Sequence, residues 1–320
     1  MTVVATMPQR EMIDTGLAGS KVVALGGGHG LAVTLKAVQA YASEITAIVA
    51  VADDGGSSGR LTSGLGVPPP GDIRRCLLAL APEGTIWADL FAHRFSGGDI
   101  EDHSLGNLLL AALTEITGDF ATAVDVAGRI LDIVGRVVPA ANEPAVLRAV
   151  ADGQEVLGQA AITKTRNIET MSIGPEDLTP NSKAIEAIKA ADQLILGPGS
   201  LYTSLIAVLL VPSIAEAWQE SMARKYFILN LIDQDGETLG MSGADHVRVL
   251  ASLAGVGGPG MIVAHKGELD VPPDHALVTI EPGDALVWGW DVVTDKLASA
   301  SADWPEHDPV ALTRMLHRPS

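Results

Sequence analysis

The sequence predicts an α/β fold of Rossmann-like type: a mostly parallel sheet with helices on both faces and a small β-rich insert. Three observations predict it. Short, continuously apolar runs such as Lys21-Val22-Val23-Ala24-Leu25 have the texture of strands buried on both faces. The first two runs end in glycine-rich turns, and a helical pattern follows the first. Strand, glycine turn, helix, strand is a βαβ unit, which sets the strands parallel and their turns on one edge of the sheet.

The elements follow in order. Residues 1–20 read as a flexible polar leader without the apolar core of a signal peptide. Residues 21–25 and 45–51 are the first two strands, with a helix over 31–41 between them. Residues 72–95 are helical with a break at Pro82, because proline cannot donate to a helix and clashes with the preceding turn. Two more helices span 104–116 and 120–134, the first with Ser104 at its cap. The texture then changes. Arg136-Val137-Val138 and residues 146–165 alternate, with a turn signal at Asp152-Gly153, so an insert is expected at about 136–175. The α/β rhythm resumes with helices over 182–191, 201–211 and 245–254 and strands over 193–196, 225–229 and 261–264. Strand-like pieces are expected over 276–290. With no repeat and no low-complexity linker, residues 21–320 form one domain.

Composition narrows the function. The net charge of −18 argues against a broad nucleic-acid surface, which needs clustered lysine and arginine. A small anion remains admissible, because loop amides and a few arginines make a local positive pocket. The single cysteine, Cys76, excludes an intrachain disulfide and fits a reducing cytoplasm; its apolar surroundings suit a buried structural thiol. The longest apolar stretches, such as 205–211, are too short to span a bilayer. The expected setting is cytoplasmic, with no membrane span, and the expected assembly is a homo-oligomer, a dimer.

Five motifs carry chemistry. Gly26-Gly27-Gly28-His29-Gly30 lies between a buried strand and a helix, where bare backbone and free helix N–H groups suit a phosphate. A dinucleotide fingerprint would put glycine where Leu31 stands, and the lysine and hydroxyl of a P-loop are missing. The second motif, Asp53-Asp54-Gly55-Gly56-Ser57-Ser58-Gly59-Arg60, follows the second strand. Asp53 and Asp54 suit magnesium or ribose hydroxyls, Ser57 and Ser58 can donate to a phosphate, and Arg60 supplies charge. In Pro68-Pro69-Pro70-Gly71-Asp72-Ile73-Arg74-Arg75, Asp72 is a candidate ligand contact, with capping of the following helix as the bland alternative, and Arg74 is a phosphate partner. His103 precedes a helix that carries Asn107 one turn along, both placed to face one ligand. Finally, Gly197-Pro198-Gly199-Ser200-Leu201-Tyr202-Thr203-Ser204 is a second glycine-and-hydroxyl turn at a helix start. An ordinary tight turn, a solvated loop or a plain N-cap is the bland alternative for each, and five such motifs together argue for a phosphate-bearing nucleotide.

In this order the motifs resemble the YvcK-type gluconeogenesis factors of the CofD superfamily. The resemblance runs from about Lys21 to at least Ala264 and includes Asn230-Leu231 with Gln234, Gly236-Glu237-Thr238 and Ala244-Asp245-His246-Val247. It implies a Rossmann-like cytoplasmic protein that binds a nucleotide-sugar of the UDP-N-acetylglucosamine kind and serves cell shape and wall synthesis on gluconeogenic carbon sources. Ligand contacts at Gly27, Gly28, His29, Gly30, Gly199, Ser200, Thr203 and Asn230 follow from it. The chain departs from the family pattern at His29, where threonine is usual, at Asp102, where glycine is usual, and at Arg75, where asparagine is common. The alternative within the superfamily is a magnesium-dependent 2-phospho-L-lactate transferase. An NAD(P)-dependent oxidoreductase is a third reading, weakened by Leu31 and by the lack of a hydride-transfer constellation.

Overall fold

The structure, a computed structural model, describes residues 19–52, 54, 66–98, 100–299 and 304–317. Seven parallel strands form its main sheet: β1 (Lys21–Gly26), β2 (Glu44–Val49), β3 (Arg136–Pro139), β7 (Gln193–Leu196), β8 (Arg224–Ile228), β9 (Gly260–His265) and β10 (Trp290–Asp295). They are ordered β3-β2-β1-β7-β8-β9-β10. Numbered along the chain within this sheet, that is 3-2-1-4-5-6-7, a doubly wound order whose reversal lies between β1 and β7.

Two-sided burial explains why the strands read as continuous apolar runs. In β1, Val23 and Leu25 join one core while Val22 and Ala24 join the other. The first core lies under α7 (Ser182–Ala190), α8 (a π-helical stretch Leu201–Ile206 continued by Ala207–Leu209), α9 (Ile214–Glu220) and α10 (Gly243–Ala254). The second lies under α1 (Gly28–Val38), α2 (Gly71–Leu80), α4 (Leu105–Thr117) and α5 (Phe120–Ile130). Cys76 is fully buried in it, and burial pushes its thiol pKa well up.

The break at Pro82 separates α2 from α3 (Ile86–Ala92), and Ser104 caps α4 by accepting from the Asn107 N–H at 3.3 Å. Asp102, where the resemblance expects glycine, has a left-handed φ of 65°, a conformation aspartate tolerates better than most residues. The Asp152-Gly153 turn also forms, with both residues at positive φ as a type I′ hairpin requires. It joins β4 (Val146–Ala151) to β5 (Gln154–Leu157) in a three-stranded antiparallel sheet with β6 (Ile168–Gly174), and α6 (Gln159–Ile162) lies between.

Two expectations change. Arg136-Val137-Val138 belongs to the main sheet, pairing parallel with β2, so the small sheet begins only at Val146. Residues 276–290 contain α11 (Pro282–Leu286) ahead of β10, with only an isolated bridge at Leu277. Beyond β10, α12 (Pro309–Leu316) packs on α1, where Thr313 Oγ1 donates to the Ala37 carbonyl at 2.8 Å. Among the described residues no single helix is long and apolar enough to cross a membrane. The bent pair α8 and α9, 77° apart, is buried in the first core.

Candidate functional site

Parallel strands deliver their following turns to one edge, and the reversal between β1 and β7 opens a crevice there. The two glycine turns meet in it. A Cβ on Gly30 would lie 2.3 Å from the Pro198 carbonyl oxygen and 3.1 Å from the Gly199 nitrogen. One on Gly27 would lie 2.4 Å from Asp72 Oδ2. At Gly30 the neighbour is main chain, so only glycine permits this closeness, whereas at Gly27 it is the Asp72 side chain. Thr34 Oγ1 ties the turns further by donating to the Gly197 carbonyl at 2.9 Å. From the end of β8, Asn230 clamps the Gly199 residue: it accepts from the Gly199 N–H at 3.0 Å and donates to the Gly199 carbonyl at 3.0 Å.

The two helix starts are not equivalent. Gly27 caps α1 without any side-chain hydrogen bond, and no acid stands in its first turn. The N–H groups there have no side-chain cap, and the Asp72 carboxylate lies beside Gly27. At α8 the carboxyl group of the buried Glu237 already sits against the helix start. Thr203 Oγ1 donates to its Oε1 at 2.5 Å. Burial raises its pKa, opposed by hydrogen bonds from the Thr203 and Ser200 hydroxyls and the Tyr202 and Thr203 N–H groups. Thr203 thus serves Glu237, and the start of α8 meets this carboxyl group where the start of α1 has no side-chain cap.

A cleft of about 570 Å³ runs from these turns. His29, Gly30, Pro198, Gly199, Ser200 and Asn230 line it, joined by the 231–235 segment, His275 and the stretch Trp304-Pro305-Glu306-His307. This size suits a small-molecule ligand. Its described lining carries the carboxyl groups of Asp233, Asp235, Glu237 and Glu306 and no lysine or arginine. Asp233 is structural: it is 2% exposed and accepts from the Gly240 and Ala276 N–H groups at 2.7 and 2.9 Å. Burial pushes the His307 pKa down to about 4, which keeps the imidazole neutral at pH 7.

Other expected site residues have different tasks. Arg74 is buried and turns to α4, donating from Nε to Asn107 Oδ1 at 3.0 Å, and Nη1 lies 3.4 Å from the Phe91 carbonyl oxygen. Burial and the neighbouring Arg75 and Arg94 push its pKa down to about 10. Arg74, His103 and Asn107 are thus not among the lining residues of the cleft. Asp72 is not the cap of α2. The helix starts at Gly71 after Pro70, and the Asp72 carboxylate pairs with Arg75 at 2.7 Å beside Gly27. Gly28, at φ 66°, opens α1.

Asp54 accepts from the Ala160 N–H at 2.7 Å and lies against Gly158, so it caps α6 across the chain. Among the described residues no three acids, histidines or cysteines cluster as a metal site. Asp53, Ser57, Ser58 and Arg60 lie outside the described residues. The cap predicts that Asp54→Ala lowers stability by about 1 kcal/mol in urea unfolding, whereas Asp54→Asn, an equally good cap acceptor, stays within a few tenths of wild type.

Comparison with known proteins agrees with this architecture. A family model described as 2-phospho-L-lactate transferase CofD matches residues 22–286. The gluconeogenesis factor of Bacillus subtilis (strain 168) is 40% identical over 306 residues, 92% of this chain and 96% of the relative. That of Halalkalibacterium halodurans is 45% identical over 247 residues, covering 76% and 77% of the two chains. The chain belongs to the CofD family. A crystal structure of a UPF0052-family protein from Bacillus halodurans superposes on this CofD-family chain with a TM-score of 0.88 at 38% identity, covering 92% of it and 98% of that chain. The CofD match ends at Leu286, before Trp304 and His307, so these two wall residues of the cleft lie outside it.

Proposed function

We propose that this gluconeogenesis-factor homologue binds a nucleotide-sugar of the UDP-N-acetylglucosamine kind and serves cell shape and wall synthesis during gluconeogenic growth. The observation that carries the reading is the seam between the two glycine turns, with the open start of α1 beside it. A diphosphate at that start gains N–H donors and the positive end of the helix dipole. The acidic remainder of the cleft accepts hydrogen bonds from the hydroxyl and amide groups of a ribose and a sugar. A phosphate-only ligand would find carboxylates there instead of partners.

Calorimetric titration with UDP-N-acetylglucosamine tests the reading. Saturable binding below millimolar concentration is expected; no heat and no thermal shift at millimolar ligand contradicts it. The family match also supports a second reading, a transferase acting on nucleotide-activated phospholactate. Release of nucleoside monophosphate from that substrate in the presence of magnesium separates it from a binding protein without turnover.

A further inference from the structure

We propose that Trp304 is the stacking surface for the planar base of the ligand, an inference that rests on the nucleotide-sugar reading. Trp304 lines the same cleft as His29 and Gly30, yet its side chain remains half-exposed. It is held in place from behind. The His275 ring meets it edge-on, with centroids 5.3 Å apart and planes at 85°. His275 Nδ1 in turn lies 3.1 Å from Oδ1 of the buried Asp233, itself fixed by two main-chain donors. The indole is thus a half-exposed ring in the cleft wall, held by His275, as base stacking requires. Gln234 lines the cleft too, and its Oε1 is buried without a partner among the described residues. That oxygen is an acceptor for an N–H on the edge of a base such as uracil or guanine.

The test uses calorimetry on the full chain with two probes, UDP-N-acetylglucosamine and inorganic pyrophosphate. Trp304→Ala is expected to weaken the nucleotide-sugar about tenfold or more, with pyrophosphate unchanged. Trp304→Phe keeps most of the affinity. Trp87→Ala, which removes another exposed indole that does not line the cleft, leaves binding as in wild type. Unchanged nucleotide-sugar affinity in Trp304→Ala overturns the stacking role alone. An equal loss for pyrophosphate also overturns it, because the ring then acts on the phosphate end. Failure of the wild-type chain to bind UDP-N-acetylglucosamine overturns the underlying nucleotide-sugar reading, and the stacking role with it.

Discussion

Gly30→Ala is expected to destabilise the fold and to abolish nucleotide-sugar binding at concentrations that saturate the wild type. The added methyl meets main chain: it would stand 2.3 Å from the Pro198 oxygen and 2.6 Å from the Pro198 carbonyl carbon. Main chain cannot rotate away as a long side chain can, so α1 and the 197–200 turn must separate. Alanine favours a helix over glycine by about 1 kcal/mol at most. Forcing a group into filled space costs about 1–3 kcal/mol and sometimes more. The clash therefore wins, and the separation opens the seam that positions the α1 amides. Gly283→Ala is the control. Gly283 also lies in a helix, α11, but nothing stands within 4 Å of its added methyl, so stability is expected to hold or rise by up to about 1 kcal/mol. Urea unfolding and calorimetry read both variants.

Asn230→Ala is the second large effect. It removes both hydrogen bonds to the Gly199 residue, in a partly buried turn. Each bond is worth about 1 kcal/mol, and a polar group left without water costs up to about 3 kcal/mol, so a loss of roughly 2–3 kcal/mol is expected. Asn230→Asp separates structure from electrostatics. Its carboxylate still accepts from the Gly199 N–H but cannot donate to the carbonyl, so about half the stability returns. It also places a negative charge beside the diphosphate seat. The aspartate variant is therefore expected to be more stable than the alanine variant and to bind the nucleotide-sugar more weakly. Equal affinities in the two variants contradict a diphosphate at the α1 start beside this turn.

Much of this was legible in the residues. The β1, glycine turn and α1 succession was readable because a buried strand and an amphipathic helix have different periods, and the strand Gln193–Leu196 with its glycine turn repeats the signal. Parallel connectivity then put both turns on one edge. Direction was not legible. Arg74 has the charge a phosphate partner needs, but its Cδ would lie 2.8 Å from a Cβ on Gly106, which places the side chain against α4 and Asn107. Asp54 meets Ala160 of the short helix α6 across 106 residues of chain, a pairing that no local pattern announces. Short strands such as Arg136–Pro139 do not declare which sheet they join. The helix Pro309–Leu316 did carry a signal, an Asp308 cap followed by proline at the first helical position. Its packing on α1, and the delivery of Trp304 and His307 to the cleft just ahead of it, appear only in three dimensions.

Amide-resolved NMR during titration with UDP-N-acetylglucosamine tests most directly that α1 and its glycine turn seat the diphosphate. The account predicts the largest shifts at the N–H groups of Gly28, His29 and Gly30, saturating together with the heat of binding. Saturating ligand that leaves those three amides unmoved contradicts it.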